Sequence, residues 1–180
     1  MIIITLADGF EEIEALTPLD VLRRAGLDVR TVGINGKIAA GSHKIPVICD
    51  LVPEEVKLSE VSAVIFPGGM PGSLALDASP FTDEVIAAVT KNGGRIAAIC
   101  AAPLVLGRRG LLDGLEATCY PGFEDELKGA VLSEKSVVTS KNITTAKGMG
   151  VALEFSLELV RLILSDDEAE KIAASIQKEK

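Results

Sequence analysis

Residues 95–103 read Arg-Ile-Ala-Ala-Ile-Cys-Ala-Ala-Pro, and this stretch decides the fold. Arg95–Ile99 is a short apolar run of the kind that forms a strand buried on both faces. It ends at Cys100, and a helix is expected at once from Ala101 to Arg109, with Pro103 in its first turn and Gly110 beyond its end. A strand that passes straight into a helix is half of a β-α-β crossover, the unit of a parallel sheet.

The same alternation extends in both directions. Towards the N-terminus, Met1–Leu6 reads as a buried strand and Glu11–Ala25 as a helix containing Pro18 and stopped by Gly26. Asp28–Ile34 reads as a second strand, and Asn35-Gly36 with Ile45–Cys49 suggests a short hairpin arm. Val61–Phe66 is a further buried strand closed by Pro67-Gly68-Gly69, followed by a helix from Pro80 to Asn92 with Ser79 at its N-cap. Towards the C-terminus, Ala117–Tyr120, Ser136–Thr139 and Ile143–Thr145 read as strands and Gly150–Leu164 as a helix. Ser165 with Glu168 has the form of a capping box that opens a last helix. Strands alternating with helices of this length predict an α/β fold, a mostly parallel sheet with helices on both faces. No linker or repeat divides the chain, so residues 1–180 are expected to form a single domain.

In such a sheet ligands gather beyond the carboxyl ends of the strands. Three parts of the sequence fall there: Asp8–Glu14, Pro67-Gly68-Gly69 and Cys100. A helix N-terminus beside Cys100 is expected to lower the thiol pKa. Free cysteines are also common inert core residues, and the local sequence leaves both readings open. Gly68 and Gly69 let the backbone approach a ligand and present amides to an oxyanion. In the run Gly9-Phe10-Glu11-Glu12-Ile13-Glu14, the stripe Ile13, Leu16 and Leu19 marks the buried side of the helix. Glu14 lies beside that stripe and is expected to point inward, with Glu11 and Glu12 facing water. A carboxyl in an apolar cleft has a raised pKa and can move protons to and from a sulfur.

Composition narrows the function further. The chain is 48% hydrophobic and 24% charged, a globular balance, with a net charge of −8. Neither a nucleic-acid grip nor an anionic membrane surface suits that charge. No apolar run approaches the roughly 18 residues of a membrane span. The N-terminus lacks the features of a signal peptide, so a cytoplasmic location is expected. Three widely spaced cysteines, Cys49, Cys100 and Cys119, argue against a disulfide framework. No metal-ligand spacing occurs, so neither a metal nor another cofactor is expected. The one histidine, His43, lies in a polar turn and reads as an exposed loop residue. A mononucleotide-binding role is disfavoured, because the first strand-to-helix loop is acidic and repels phosphate.

The blocks GFEEIEALTPLDVLRRAG, VIFPGGMPG, GRIAAICAAPLVL and ITTAKGMGVALEFSLELV, in this order, resemble the ThiJ/PfpI superfamily, and within it the Parkinsonism-associated deglycase-like branch. The resemblance covers nearly the whole chain. It implies a flavodoxin-like three-layer sandwich of the class I glutamine amidotransferase type, assembled as a homodimer. It also implies Cys100 as nucleophile in a strained elbow, Glu14 as the acid bonded to its sulfur, and the amides of Gly69 and Ala101 as the oxyanion pocket. Gly68 and Tyr120 would line the substrate pocket. The implied activity is cofactor-independent: a glyoxalase or deglycase acting on methylglyoxal-like 2-oxoaldehydes or their adducts. The alternative is a redox sensor or holdase that uses an oxidisable Cys100. Three departures stand out. Tyr120 occupies a place where many relatives have histidine. Ala101 follows the nucleophile where protease-like members have histidine. Lys147 and Met149 alter a turn that is Arg-Gly-Pro-Gly in relatives.

Overall fold

In a computed structural model, which describes residues 1–178, the alternating pattern becomes one six-stranded sheet. The strands are β1 (Ile2–Leu6), β2 (Val29–Gly33), β5 (Ala63–Phe66), β6 (Arg95–Ile99), β9 (Val137–Ser140) and β10 (Ile143–Ala146). A hairpin, β3 (Ile38–Ala40) with β4 (Pro46–Ile48), and a small pair, β7 (Glu116–Ala117) with β8 (Val131–Leu132), lie outside it. The sheet order is β2-β1-β5-β6-β10-β9. All neighbours run parallel except β9, which joins β10 antiparallel.

The helices are α1 (Glu12–Arg24), α2 (Gly72–Ala78), α3 (Pro80–Lys91), α4 (Pro103–Arg108), α5 (Ala152–Ile163) and α6 (Asp166–Ser175). Because side chains alternate across a strand, β1 sends Ile2, Ile4 and Leu6 to one face and Ile3 to the other. The first set packs with Ala15, Leu22, Phe155 and Leu159 of α1 and α5. The second faces Leu76, Val85, Val89 and Leu104 of α2, α3 and α4. These two cores on opposite faces make the three-layer α/β sandwich expected from the sequence. Among the described residues, no helix is long and apolar enough to cross a membrane.

The chain leaves β1 for β2 on one side, then returns to β5 on the other. The crossover directions reverse between β1 and β5, the arrangement that in open α/β sheets marks the ligand-binding edge at the carboxyl ends of the strands. The loops after β1, β5 and β6 all meet there.

Several sequence expectations need correction. Ile13 is 47% exposed, whereas Glu12 and Glu14 are 3% and 1% exposed. The buried side of α1 is therefore turned from the Ile13–Leu16–Leu19 stripe, and Glu12 does not face water. The cause is the hairpin. Phe10 pairs with Gly41, so the β3–β4 arm covers the helix start and encloses Glu12. The helix after Cys100 begins only at Pro103, and residues 100–102 form a turn. Ser79 stands at the N-cap of α3 without a side-chain capping bond, while Ser165 does cap α6 by accepting from the Glu168 amide at 3.2 Å. The strand expected at Ala117–Tyr120 shrinks to Glu116–Ala117, and α2 and β8 had no clear periodic signal.

Candidate active site

Cys100 sits where β6 turns toward α4, with a φ of +66°, in the left-handed region that costs a residue with a Cβ about 1–2 kcal/mol. Its neighbours fix that conformation. Its amide donates to the Ala146 carbonyl at 2.9 Å, extending the β6–β10 ladder by one step. Its carbonyl accepts from the Tyr120 amide at 2.8 Å. The side chain is thereby lifted off the sheet end and remains partly exposed, whereas Cys49 and Cys119 are buried. All three thiols are free.

Glu14 reaches the same point from the first turn of α1. Its Oε2 accepts from the Gly68 amide at 2.9 Å, and the Cys100 sulfur and the Met149 amide lie near enough to pull its pKa down. Gly68 is required by packing. A Cβ there would lie 2.5 Å from both the Cys100 Cβ and Glu14 Oε2. Gly69, at φ +90°, lies against the Glu11 amide and the Gly9 carbonyl so closely that no Cβ fits. The Glu11 amide donates in turn to the Gly68 carbonyl at 2.9 Å, locking the loop after β1 to the loop after β5.

The electrostatics of the pair follow from burial. Loss of water pushes the Glu14 carboxyl up to about 7, helped by the nearby Glu11 charge and opposed by the bonds from Cys100, Gly68 and Met149. The Cys100 thiol is pushed up to about 12, first by burial and then by the charge and hydrogen bond of Glu14. The amides of Ala101 and Gly69 point at the sulfur and pull in the other direction. This corrects the expectation of a thiol made acidic by a helix terminus. The helix starts three residues on, and an ionised carboxylate stands closer. Both contributions of Glu14 reverse once the carboxyl holds the proton, because it then donates to the sulfur instead of repelling its charge.

Tyr120 is 51% exposed and sits at the rim, where a Cβ on Gly148 would meet its ring at 3.2 Å and Glu14 Oε1 at 3.7 Å. The sequence-predicted residues Glu14, Gly68, Gly69, Cys100 and Ala101 thus converge, with Tyr120 beside them. The amide of Met149 and the close approach of Gly148 were not anticipated. Both are backbone contributions, whose only signal was the Lys147-Gly148-Met149-Gly150 turn. The Lys147 ammonium is committed to the Glu134 carbonyl at 2.6 Å. Burial also pushes the Cys119 thiol up, to about 11. A separate group of possible metal ligands, Glu11, Glu12 and His43, lies at the start of α1.

A family model described as DJ-1/PfpI family matches residues 1–162. The Drosophila melanogaster protein dj-1beta is 33% identical over 177 residues, covering 97% of this chain and 95% of that protein. The Caenorhabditis elegans glutathione-independent glyoxalase DJR-1.2 is 35% identical over 158 residues, covering 85% of this chain and 82% of its own. Among solved structures, oxidized Toxoplasma gondii DJ-1 superposes with a TM-score of 0.94 at 33% identity, covering 99% of this chain and 98% of that one.

Two outcomes follow from the site geometry. Cys100→Gly is expected to be more stable than Cys100→Ala by about 1 kcal/mol in chemical denaturation, because only glycine accepts this φ without strain. Equal stabilities would show that the turn is not strained. Glu14 binds its proton more tightly folded, at about 7, than at its ordinary 4.5. The stability this confers is complete below 4.5 and is lost as pH rises through 7. The wild type should therefore lose about 3 kcal/mol relative to Glu14→Gln between those pH values. Parallel stability profiles for the two proteins would contradict the assignment.

Proposed function

We propose that this chain, which belongs to the DJ-1/PfpI family, is a cofactor-independent enzyme that converts small 2-oxoaldehydes such as methylglyoxal to 2-hydroxy acids. The observation that carries the reading is the buried Glu14 carboxyl, held by the Gly68 amide at 2.9 Å, beside a partly exposed cysteine on a strained turn. The glyoxalase named among the relatives supports the same class of chemistry.

The steps balance without an external oxidant. The Glu14 carboxylate takes the Cys100 proton as the sulfur adds to the aldehyde carbon, and the new alkoxide takes that proton from Glu14 to give a hemithioacetal. The Glu14 carboxylate removes the hydrogen from that carbon, the electrons pass to the neighbouring ketone oxygen, that oxygen takes the hydroxyl proton of the first carbon, and Glu14 returns its own proton to the second carbon. The first carbon is oxidised to a thioester as the second is reduced to an alcohol. Water then cleaves the thioester, releasing the 2-hydroxy acid and restoring the thiol. The amides of Gly69 and Ala101 stabilise the oxygen charge that develops beside the sulfur; one such donor is worth roughly 3–4 kcal/mol in comparable sites. Methylglyoxal adducts on amines present the same carbon skeleton, so deglycation belongs to the same reading. Free thiols also suit a reducing, cytoplasmic location.

A second reading, a redox sensor or holdase, is favoured by one observation: Cys100 alone of the three thiols is partly exposed. One experiment separates the two. Purified protein given methylglyoxal without glutathione should form lactate, with activity falling at least a hundredfold in Cys100→Ala and Glu14→Gln. Undiminished turnover in Cys100→Ala rules out the enzymatic reading. Absence of lactate, with peroxide oxidising Cys100 ahead of the buried thiols in mass spectrometry, leaves the sensor.

The reading includes a homodimer. Ile38 and Ile48, opposite each other in the β3–β4 hairpin, are 64% and 81% exposed, and a second copy would take them out of water. Light scattering should give twice the 18.8 kDa chain mass, and a single-chain mass at micromolar concentration would refute it.

A further inference from the structure

We propose that Glu11, Glu12, Ser42 and His43 form a binding site for a first-row divalent transition-metal ion, with Zn2+ as the reference case, at the seam between α1 and the β3–β4 hairpin. This site is separate from the Cys100 chemistry and does not depend on it.

The geometry is that of a small polyhedron of donors. Ser42 Oγ lies 3.0 Å from Glu11 Oε2, 3.2 Å from Glu12 Oε2 and 3.1 Å from His43 Nδ1. His43 Nδ1 lies 3.0 Å from Glu12 Oε2 and 3.6 Å from Glu11 Oε2. Zinc bonds of about 2.0–2.2 Å to nitrogen and oxygen place tetrahedral donors roughly 3.3–3.5 Å apart, and these five separations lie within tenths of an ångström of that spacing. Two carboxylates and an imidazole are the donors, and the Ser42 oxygen stands at the fourth corner. One imidazole with carboxylates favours zinc and its neighbours over magnesium or calcium, which take oxygen alone.

Two further observations show that the place is built rather than accidental. The first is the fit of the hairpin. Gly41 lies so close over the Glu12 carboxylate that no side chain fits between them, and the loop is held by Ser42 donating to the Phe10 carbonyl at 2.7 Å. The second oxygen of Glu12 accepts from the His43 amide at 2.8 Å, which fixes the plane of the ligating carboxylate as outer partners of metal ligands do. The second observation is charge. The Glu12 side chain is only 4% exposed and that of Glu11 15%. Among the described residues no lysine or arginine approaches either within 4.0 Å, and their single counter-group is the imidazole. Two carboxylates thus face a single cationic partner, and a divalent cation would supply the charge that one imidazole does not.

Sequence spacing could not show this site. Its two halves lie 30 and 31 residues apart and share no local ligand motif.

The test uses the full chain without a polyhistidine tag, so that His43 gives the only imidazole signals. Calorimetric titration with Zn2+ should give one ion per chain, and the His43 proton resonances should move with the same saturation curve. His43→Ala, an exposed position that leaves the core intact, should weaken binding at least tenfold, as should Glu12→Gln. Cys100→Ala should bind as the wild type does, which separates this site from capture by the reactive thiol. Millimolar Mg2+ should not compete. Zinc that binds without moving the His43 signals, that binds His43→Ala as tightly as wild type, or that disappears with Cys100→Ala overturns the proposal. So does the absence of measurable binding.

Discussion

The placing of one α1 carboxyl beside a sulfur at the end of β6 organises the carboxyl edge of this sheet. Neither group tolerates a full charge easily in a dry site, and they stand too close to carry one each. The Glu14–Cys100 pair therefore takes on a single negative charge as pH rises through about 7, and its chemistry depends on which partner keeps the remaining proton. The rest of the site serves that sharing. Gly68 and Met149 hold the carboxyl by their amides, while Gly69 and Ala101 hold the sulfur. Four backbone donors around two side chains make an environment that substitution of side chains alters little.

The topology explains why such distant residues meet. Glu14 and Gly68 are 54 positions apart, yet they belong to the helix start and the loop that follow adjacent strands β1 and β5, on either side of the point where the crossovers reverse. Cys100 follows the next strand, β6. Parallel pairing puts all three strand ends at one edge, so the site is a consequence of register. The strain at Cys100 is held by bonds on both sides, from the Ala146 carbonyl and the Tyr120 amide, which is how a left-handed cysteine persists in a folded chain.

Much of this was legible in the sequence. Apolar runs bounded by glycines identified β1, β5 and β6 to within two residues, because strands buried on both faces must be continuously apolar. The meeting of Glu14, Gly68, Gly69, Cys100 and Ala101 followed from their placement at strand ends together with the family resemblance. The orientation of α1 was not legible. Its apolar stripe suggested Ile13 inward, but the hairpin crossing at Gly41 covers the opposite side, and that contact joins residues about thirty positions apart. The direction of the Cys100 pKa was misread for a related reason. The helix beyond Cys100 is local in sequence, whereas the carboxylate that raises the thiol pKa is delivered by α1. What failed in both cases was information carried only by tertiary contact.

The wall of the site formed by Gly68 and Gly69 has a consequence for redesign. That wall is bare main chain, and no larger residue fits without displacing the groups it supports. It offers nothing to vary when a different substrate is wanted. Variation must come from the opposite rim, where Tyr120 and Met149 stand half in water and can be exchanged without disturbing the proton-sharing pair. On the proposed chemistry, a combinatorial library confined to those two positions would alter substrate access while leaving Glu14 and Cys100 as they are.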